Sequence, residues 1–195
     1  MDTKQQILNT AYTLFQQKSY ENVSVTDICD ACHLTKPAFY YHFSSKGELL
    51  IHYYEHAVDQ IINEQPEHID NYWQQLVASF TALLSASTAI GVDLTSQLFI
   101  TNLGNNQGTF DFDDRFKQVC VSLITAAQKA HQIRNQSAPL QLFIAASMMF
   151  TGYNVYWAIR NGDFDRPTNF VASLETVFDI PQANRVTLND MLSIR

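Results

Sequence analysis

VSVTDICDACHLTKPAFYYHFSSKGELL, residues 23 to 50, is the stretch of sequence that decides the fold. Ser24, followed three residues later by Asp27, has the spacing of a capping box at a helix N-terminus. Thr35 can cap a further helix in which Pro37 falls in the first turn, where a missing backbone N–H costs little. The stretch therefore predicts two short helices in close succession.

Only His33 and Leu34 separate these two predicted helices. Such a short connection is typical of a helix-turn-helix motif, in which the second helix enters a groove of DNA. Upstream, helical periodicity from Thr3 to Lys18 predicts a first helix. Downstream, Ser45 and Glu48 have the spacing of another capping box and predict a fourth helix. Four helices are thus predicted for roughly the first 65 residues.

This part of the chain resembles the DNA-binding domain of the TetR family of bacterial transcriptional regulators. The resemblance covers about the first 50 residues and rests on an Asp-Ile pair, a helix end of small residues, Thr-Lys-Pro, Tyr-Tyr-His-Phe and Ser-Lys-x-Glu-Leu-Leu. It implies an all-α protein of about nine helices. Residues 1–46 would form a three-helix DNA-binding domain, and residues 47–195 a helical bundle for ligand binding and dimerisation.

The motif and the resemblance together identify candidate DNA contacts. The first turns of a recognition helix reach deepest into the major groove, so base contacts are expected from Lys36, Pro37, Ala38 and Tyr40. Lysine can donate to guanine, whereas the apolar surfaces of Pro37 and Ala38 suit a thymine methyl group. Positions that resemble the phosphate contacts of the family lie around the same helix. The predicted DNA-contacting residues are Thr26, Thr35, Lys36, Pro37, Ala38, Tyr40, Tyr41, His42 and Lys46.

Positive charge is scarce in this region. Residues 1–60 contain four lysines, no arginine and seven acidic residues, which gives a net charge of −3. A DNA-binding domain usually has a basic face. We therefore expect backbone N–H groups at the helix starts near Ser24 and Ser45 to contribute to phosphate binding. DNA affinity is expected to be modest, with a shallow dependence on salt.

The sequence CDACH, residues 29 to 33, has three possible interpretations. Cys-x-x-Cys-His is the spacing of c-type haem attachment, two thiols can form a zinc or redox site, and free cysteines can be small buried apolar side chains. The TetR resemblance favours the third, because the family usually has alanine at Cys29 and Cys32 and glycine at His33, a turn position that favours positive φ. A thiol-based redox or metal sensor using Cys29 and Cys32 stays the alternative function. No cofactor and no metal are predicted.

The composition is that of a folded helical protein. Of 195 residues, 46% are hydrophobic and 16% charged, and the three cysteines do not form a disulfide framework. The N-terminus lacks the basic start and apolar run of a secretory signal, which favours a cytoplasmic protein. The segment 140–159 has no formal charge but contains several polar residues, so we interpret it as a buried helix rather than a membrane span. The sequence has no nucleophile with a plausible base, no phosphate-binding loop and no pair of carboxylates, so no enzyme is predicted.

A second, larger helical part is predicted beyond residue 64, with helices at residues 70–85, 90–103, 113–131, 138–160 and 167–178. By resemblance to the family, helices 138–160 and 167–178 form the surface of a homodimer. The many aromatic residues, with a few polar groups among them, are compatible with a ligand pocket. The candidate ligand-binding residues are Trp73, Phe80, Gln97, Phe99, Asn102, Phe116, Phe150, Tyr153, Asn154 and Trp157.

The leading functional hypothesis is a sequence-specific DNA-binding transcriptional regulator, namely a repressor that a small apolar ligand releases from its operator. In such a dimer the two recognition helices lie about 34 Å apart, which matches one turn of B-DNA. A ligand that favours a different spacing would shift the population away from the DNA-binding form.

Overall fold

All secondary structure in the described part of the chain is helical. The computed structural model describes residues 2–63, 71–106, 108–112 and 114–186. Nine α-helices and one short 3-10 turn lie in these ranges, so the predicted all-α fold is confirmed. The helices are α1 (Thr3–Lys18), α2 (Val25–Cys32), α3 (Lys36–His42), α4 (Lys46–Asn63), α5 (Tyr72–Ile90), α6 (Val92–Gly104), α7 (Asp114–Lys129), α8 (Pro139–Ile159) and α9 (Arg166–Val177).

The chain divides into two compact units. The first consists of residues 1–56 and 90–109 and contains α1 to α3, the start of α4, and α6. The second consists of residues 57–89 and 110–195 and contains most of α5 together with α7, α8 and α9. The first unit is larger than the predicted DNA-binding domain because it also includes the start of α4, to residue 56, and α6. The functional division into residues 1–46 and 47–195 stays a prediction.

The core of the first unit forms where α1 packs against α2. Ile7, Ala11 and Phe15 recur on one face of α1, and all three are buried. Phe39 of α3 is also fully buried. Burial of an aliphatic or phenyl side chain of this size contributes roughly 1.5–3 kcal/mol. α3 packs against α2, and its buried Phe39 side chain holds it in this core.

α8 packs against both α7 and α9 in the second unit. Its buried residues include Phe143, Ala146, Phe150 and Trp157. It is long and apolar enough to cross a membrane, a property that buried core helices share. The buried hydroxyl group of Ser147 donates to the Phe143 carbonyl at 2.9 Å, which satisfies its polar group inside the bundle. α8 is therefore buried on the face that packs against α7 and α9, whereas Leu140, Ile144 and Met148 on the helix are exposed, so the interpretation of residues 140–159 as a buried helix holds for one face only.

α5 extends to Ile90, beyond its predicted end at residue 85. Its last turns are rich in serine and threonine, which weaken a helix prediction from sequence. In the structure their hydroxyl groups donate to carbonyls one turn earlier, Ser87 to Leu83 at 2.9 Å and Thr88 to Leu84 at 2.9 Å. Because these bonds satisfy the hydroxyls within the helix, the polar run continues α5.

Candidate nucleic-acid interface

His33 forms the turn between α2 and α3. It adopts the left-handed conformation, with φ 56° and ψ 40°. The sequence predicts a positive φ here, because the family that it resembles usually has glycine at this position. The N–H of Leu34 donates to the carbonyl of Cys29 at 2.9 Å, which satisfies an end carbonyl of α2. Histidine adopts this conformation at a small cost that glycine would not incur. Three residues, His33, Leu34 and Thr35, connect the two helices, and the last of them is the N-cap of α3.

α3 has one buried side and one exposed side. Phe39 is fully buried, and Phe43, which caps the C-terminal end of the helix, is 1% exposed. On the opposite side Tyr40 is 54% exposed and Tyr41 is 85% exposed. The Tyr41 ring also contacts the edge of the His42 ring, with centroids 5.0 Å apart. Two adjacent tyrosines are therefore available at the surface of the helix that the motif places against DNA.

The first turn of α3 also lies at the surface. The Thr35 hydroxyl accepts from the N–H of Ala38 at 3.4 Å, which is the predicted cap. Lys36 and Pro37 are exposed, and Thr26 is exposed in the first turn of α2. Of the predicted residues of α3, Lys36, Pro37, Tyr40 and Tyr41 are exposed, whereas Ala38 and His42 are half-buried. Their contacts with DNA stay a prediction.

Lys46 is bound within the first unit. Its Nζ donates to the carbonyls of Tyr20 and Val23 at 2.7 and 2.8 Å and lies 3.8 Å from the centre of the Tyr20 ring. Burial lowers the pKa of Lys46 below its usual value, against the opposite effect of Glu21 and Asp93. Two of its ammonium N–H groups are therefore used internally. Lys46 differs in this respect from the free phosphate ligand that the sequence predicts.

Capping boxes are present at the starts of α2 and α4. In the second one the carboxylate accepts from the N–H of Ser44 instead of that of Ser45. The N–H of Ser24 donates to Asp27 Oδ2 at 2.7 Å, and the N–H of Asp27 donates to Ser24 Oγ at 3.1 Å. At α4 the N–H of Glu48 donates to Ser45 Oγ at 3.2 Å. The Glu48 carboxylate, however, accepts from the N–H of Ser44 at 2.6 Å.

These two carboxylates change the electrostatics of the helix starts. Hydrogen bonds from Ser24 hold the pKa of Asp27 below its usual value. Burial raises the pKa of Glu48, but hydrogen bonds from Ser44 and the nearby His52 outweigh it, so the pKa is lowered. Both groups are therefore negative at neutral pH. Each helix start that the sequence analysis assigned to phosphate already holds a negative charge.

α6 approaches the helix-turn-helix region within the first unit. The N–H of Tyr20 donates to Asp93 Oδ2 of α6 at 2.8 Å. Further along, a Cβ atom at Gly47 would lie only 3.0 Å from Thr101 Cγ2. Glycine at this position therefore allows the start of α4 and α6 to come close. Neither contact follows from the sequence, because the partners are far apart in the chain.

Cys29 and Cys32 are both buried. The Cys32 Sγ lies 4.0 Å from the carbonyl oxygen of Gln6. Burial, with a smaller effect of Asp30, raises the pKa of the Cys29 thiol, which keeps it protonated and weakly reactive. In the ranges that the structure describes, no group of three or more His, Cys, Asp and Glu residues is placed to hold a metal ion. These findings give the redox or metal interpretation no support.

The predicted ligand-binding residues are divided between the two units. Gln97, Phe99 and Asn102 lie on α6 in the first unit. The side-chain amide of Gln97 donates to Glu21 Oε1 at 3.4 Å, and that of Asn102 donates to the Leu98 carbonyl at 2.9 Å. The others belong to the second unit, and they are Trp73, Phe80, Phe116, Phe150, Tyr153, Asn154 and Trp157.

Phe80 lies at the centre of a phenylalanine cluster in the second unit. Its ring centroid is 5.5 Å from that of Phe116 and 6.1 Å from that of Phe150. Phe143 at 6.4 Å and Phe170 at 5.6 Å also contact it. Such distances are typical of favourable aromatic packing. The structure thus brings three of the predicted residues together, and their rings pack on one another.

Trp73 lies in a separate ring contact of the same unit, and Tyr153 lies at the edge of the cluster, with its ring centroid 6.0 Å from that of Phe170. Trp73 packs on Phe178, with ring centroids 5.6 Å apart. Tyr153 stacks on Phe164 at 5.9 Å, and its hydroxyl lies 2.6 Å from that of Ser173. The aromatic residues that the sequence analysis grouped together therefore have different neighbours.

Arg166 is a buried cation that the sequence analysis missed. One of its guanidinium N–H groups donates to Asn154 Oδ1, and another donates to the Leu84 carbonyl at 2.8 Å. The guanidinium also lies 4.1 Å from the centre of the Trp157 ring. Asn154 and Trp157, both predicted to bind ligand, thus contact Arg166. No sequence signal marks this residue, because arginine is rarely fully buried.

A family model and several curated relatives match part of this chain, and solved structures match nearly all of it. Residues 7–53 match the family model described as bacterial regulatory proteins, tetR family. The chain is 41% identical over 61 residues to YuxN of Bacillus subtilis, an uncharacterized HTH-type transcriptional regulator, covering 29% of this chain and 21% of YuxN. It is 31% identical over 74 residues to IcaR of Staphylococcus epidermidis, the HTH-type negative transcriptional regulator of the biofilm operon icaADBC, covering 35% of this chain and 38% of IcaR.

The match thus spans about a fifth to two fifths of the length of these curated relatives. Over nearly the whole chain, the fold is similar to the crystal structure of FadR from Thermus thermophilus, a TetR family transcriptional repressor in complex with lauroyl-CoA. The TM-score is 0.74 at 14% identity, and the alignment covers 94% of this chain and 95% of FadR. At this identity the likeness concerns the fold alone.

Proposed function

Because residues 7–53 match the family model of the tetR bacterial regulatory proteins, we propose that the protein binds a double-stranded DNA operator and regulates transcription. The observation that carries the proposal is the exposed side of α3. Tyr40 and Tyr41 are exposed there together with Lys36, while Phe39 on the other side is buried in the core. In a helix-turn-helix the exposed side of the second helix enters the major groove.

The side chains of α3 have the chemistry that base and phosphate contacts require. The Lys36 ammonium can donate to guanine O6 and N7, and the Tyr40 hydroxyl can donate to a base edge. Tyr41 and His42 can donate to phosphate oxygens. Because Lys46 is engaged within the first unit, Lys36 is the main cation of this proposed surface.

The protein acts as a homodimer in this proposal, through α8 and α9. Leu140, Ile144 and Met148 are exposed apolar residues spaced four apart on α8, so they form a stripe along one face. A second copy would bury this stripe. Met148→Glu should therefore shift the protein from dimer to monomer in analytical ultracentrifugation. Gln118→Glu, which adds the same charge at an exposed position of α7, should leave the dimer intact. If both variants stay dimeric, the proposed surface is wrong.

We further propose that the second unit binds a small apolar effector and that the protein is a repressor released by it. IcaR is named a negative regulator, and the FadR crystal contains lauroyl-CoA, which supports this proposal by analogy. A coupling of about 1–3 kcal/mol between the two ligands would weaken operator binding roughly 5- to 150-fold. In this proposal the operator is in the cytoplasm, and so is the protein that binds it.

Selection from random DNA followed by fluorescence anisotropy tests the DNA-binding function. Lys36→Ala and Tyr40→Ala should each weaken binding to the selected operator by about 1–3 kcal/mol per half-site, because each removes a contact with a base edge. Lys129→Ala and Tyr72→Ala remove the same residue types from exposed positions of the second unit and should bind like the native protein. Failure to select any sequence, or four variants of equal affinity, would contradict the proposal.

A further inference from the structure

Phe112 has a strained backbone at the edge of the phenylalanine cluster. Its φ is 56°, a value that bulky L-residues rarely adopt. Its ring centroid nevertheless lies 5.7 Å from those of Phe116 and Phe150, 5.9 Å from that of Phe143 and 6.4 Å from that of Phe80. Ring contacts therefore hold Phe112 in a conformation that its own backbone disfavours.

Phe112 also differs from the other rings of the cluster in its position on the chain. Phe80, Phe116, Phe143, Phe150 and Phe170 all lie on helices and are at most 3% exposed. Phe112 lies outside any helix, between α6 and α7, and is only partly buried. A local change of backbone conformation can therefore remove its ring from the cluster without unfolding a helix.

We propose that Phe112 is a displaceable plug, and that a small uncharged aromatic ligand binds the second unit by replacing its ring. The surrounding phenyl rings would recover their edge and face contacts with a planar aromatic ligand of similar size. Displacement also relieves the positive φ of Phe112. A charged ligand would lose its hydration without gaining polar partners among these rings, so the site selects against it.

The regulatory consequence rests on the proposed function. The chain passes from the first unit to the second between Thr109 and Phe110, only two residues before Phe112. Movement of Phe112 therefore changes the segment that follows α6. Within the first unit α6 holds the N–H of Tyr20 through Asp93, at 2.8 Å. In this proposal the ligand acts on the first unit along the chain between α6 and Phe112.

Toluene, which has the ring and first carbon of a phenylalanine side chain, is the probe for this site, and the test needs no DNA. Calorimetric titration of the native protein should show saturable binding. Phe112→Ala should bind toluene about tenfold more tightly, because the ligand no longer competes with the plug. Phe164→Ala is the matched control, since Phe164 is also a half-buried loop phenylalanine but contacts Tyr153 and Tyr156 instead of the cluster. Its affinity for toluene should stay within about twofold of the native value.

Hydrogen exchange followed by mass spectrometry tests the displacement in the native sequence. Toluene should speed exchange of the amides of residues 108–112 as the plug leaves. Absence of saturable binding to the native protein, equal effects of the two alanine variants, or slower exchange of residues 108–112 with toluene would each overturn the proposal. A protein that meets these expectations but selects no operator would overturn the DNA-binding function instead, and the plug would stand.

Discussion

Replacement of Lys46 by methionine distinguishes a structural lysine from a DNA-binding one. Lys46→Met keeps most of the apolar stem and removes the ammonium that donates to Tyr20 and Val23 at 2.7 and 2.8 Å. Hydrogen bonds to a charged group contribute about 1.5–3 kcal/mol each, and the contact with the Tyr20 ring about 0.5–1 kcal/mol. The ammonium loses hydration to make these contacts, as its lowered pKa indicates. We therefore expect a net loss of about 2 kcal/mol in the free energy of unfolding.

For a chain of this length, a loss of about 2 kcal/mol lowers Tm by about 4–8 °C. Thermal unfolding followed by circular dichroism measures this change. Lys36→Met is the matched control, because it removes the same charge from an exposed position and should leave Tm nearly unchanged while weakening operator binding.

The salt dependence of operator binding separates the two roles. Lys46→Met should keep the native slope of log affinity against log salt, because its ammonium is engaged within the first unit and neutralises no phosphate, whereas Lys36→Met should weaken operator binding. A Lys46→Met variant with native stability and a reduced slope would refute the structural role. It would identify Lys46 as the phosphate ligand that the sequence predicts.

For the native dimer we expect a slope of about −3 to −6, and a value near −10 would reveal a larger basic surface. A Cys29→Ala, Cys32→Ala double variant should fold and bind the operator, with at most about 1–2 kcal/mol of stability lost, because the two thiols only pack in the core. If an oxidant abolished operator binding in the native protein but not in this variant, a thiol sensor would be favoured. The folded-state pKa values of Asp27 and Glu48 lie below 3.8 and 4.5, so both carboxylates stabilise the fold above these values and lose this effect as pH falls through the lower folded-state values. Urea unfolding at pH 7 and pH 3 measures this effect. From pH 7 to pH 3 the free energy of unfolding should fall less for an Asp27→Asn, Glu48→Gln variant than for the native protein, and an equal fall in both proteins would exclude the effect.

Features that depend on neighbouring residues could be predicted from the sequence. The Ser24–Asp27 and Thr35–Ala38 hydrogen bonds join groups three residues apart, so their spacing identified both helix starts. The helical period and the short turn then predicted the helix-turn-helix and the all-α fold. The exposure of Tyr40 followed from the same local geometry. Its role at a base edge is a prediction that only DNA binding can test.

Features that depend on distant residues were decided by the tertiary structure. Lys46 reaches the carbonyl of Tyr20, 26 residues away, and Arg166 reaches that of Leu84, 82 residues away. In the sequence each is a lone cation, which is most often exposed, so neither partner could be inferred. Phe112 likewise follows the turn-like run after α6, and only the packing of distant helices gives its ring a place in the cluster. The sequence by itself determined the helices and the motif, because these depend on short-range spacing, whereas packing across the chain decided which charges and rings are free to bind.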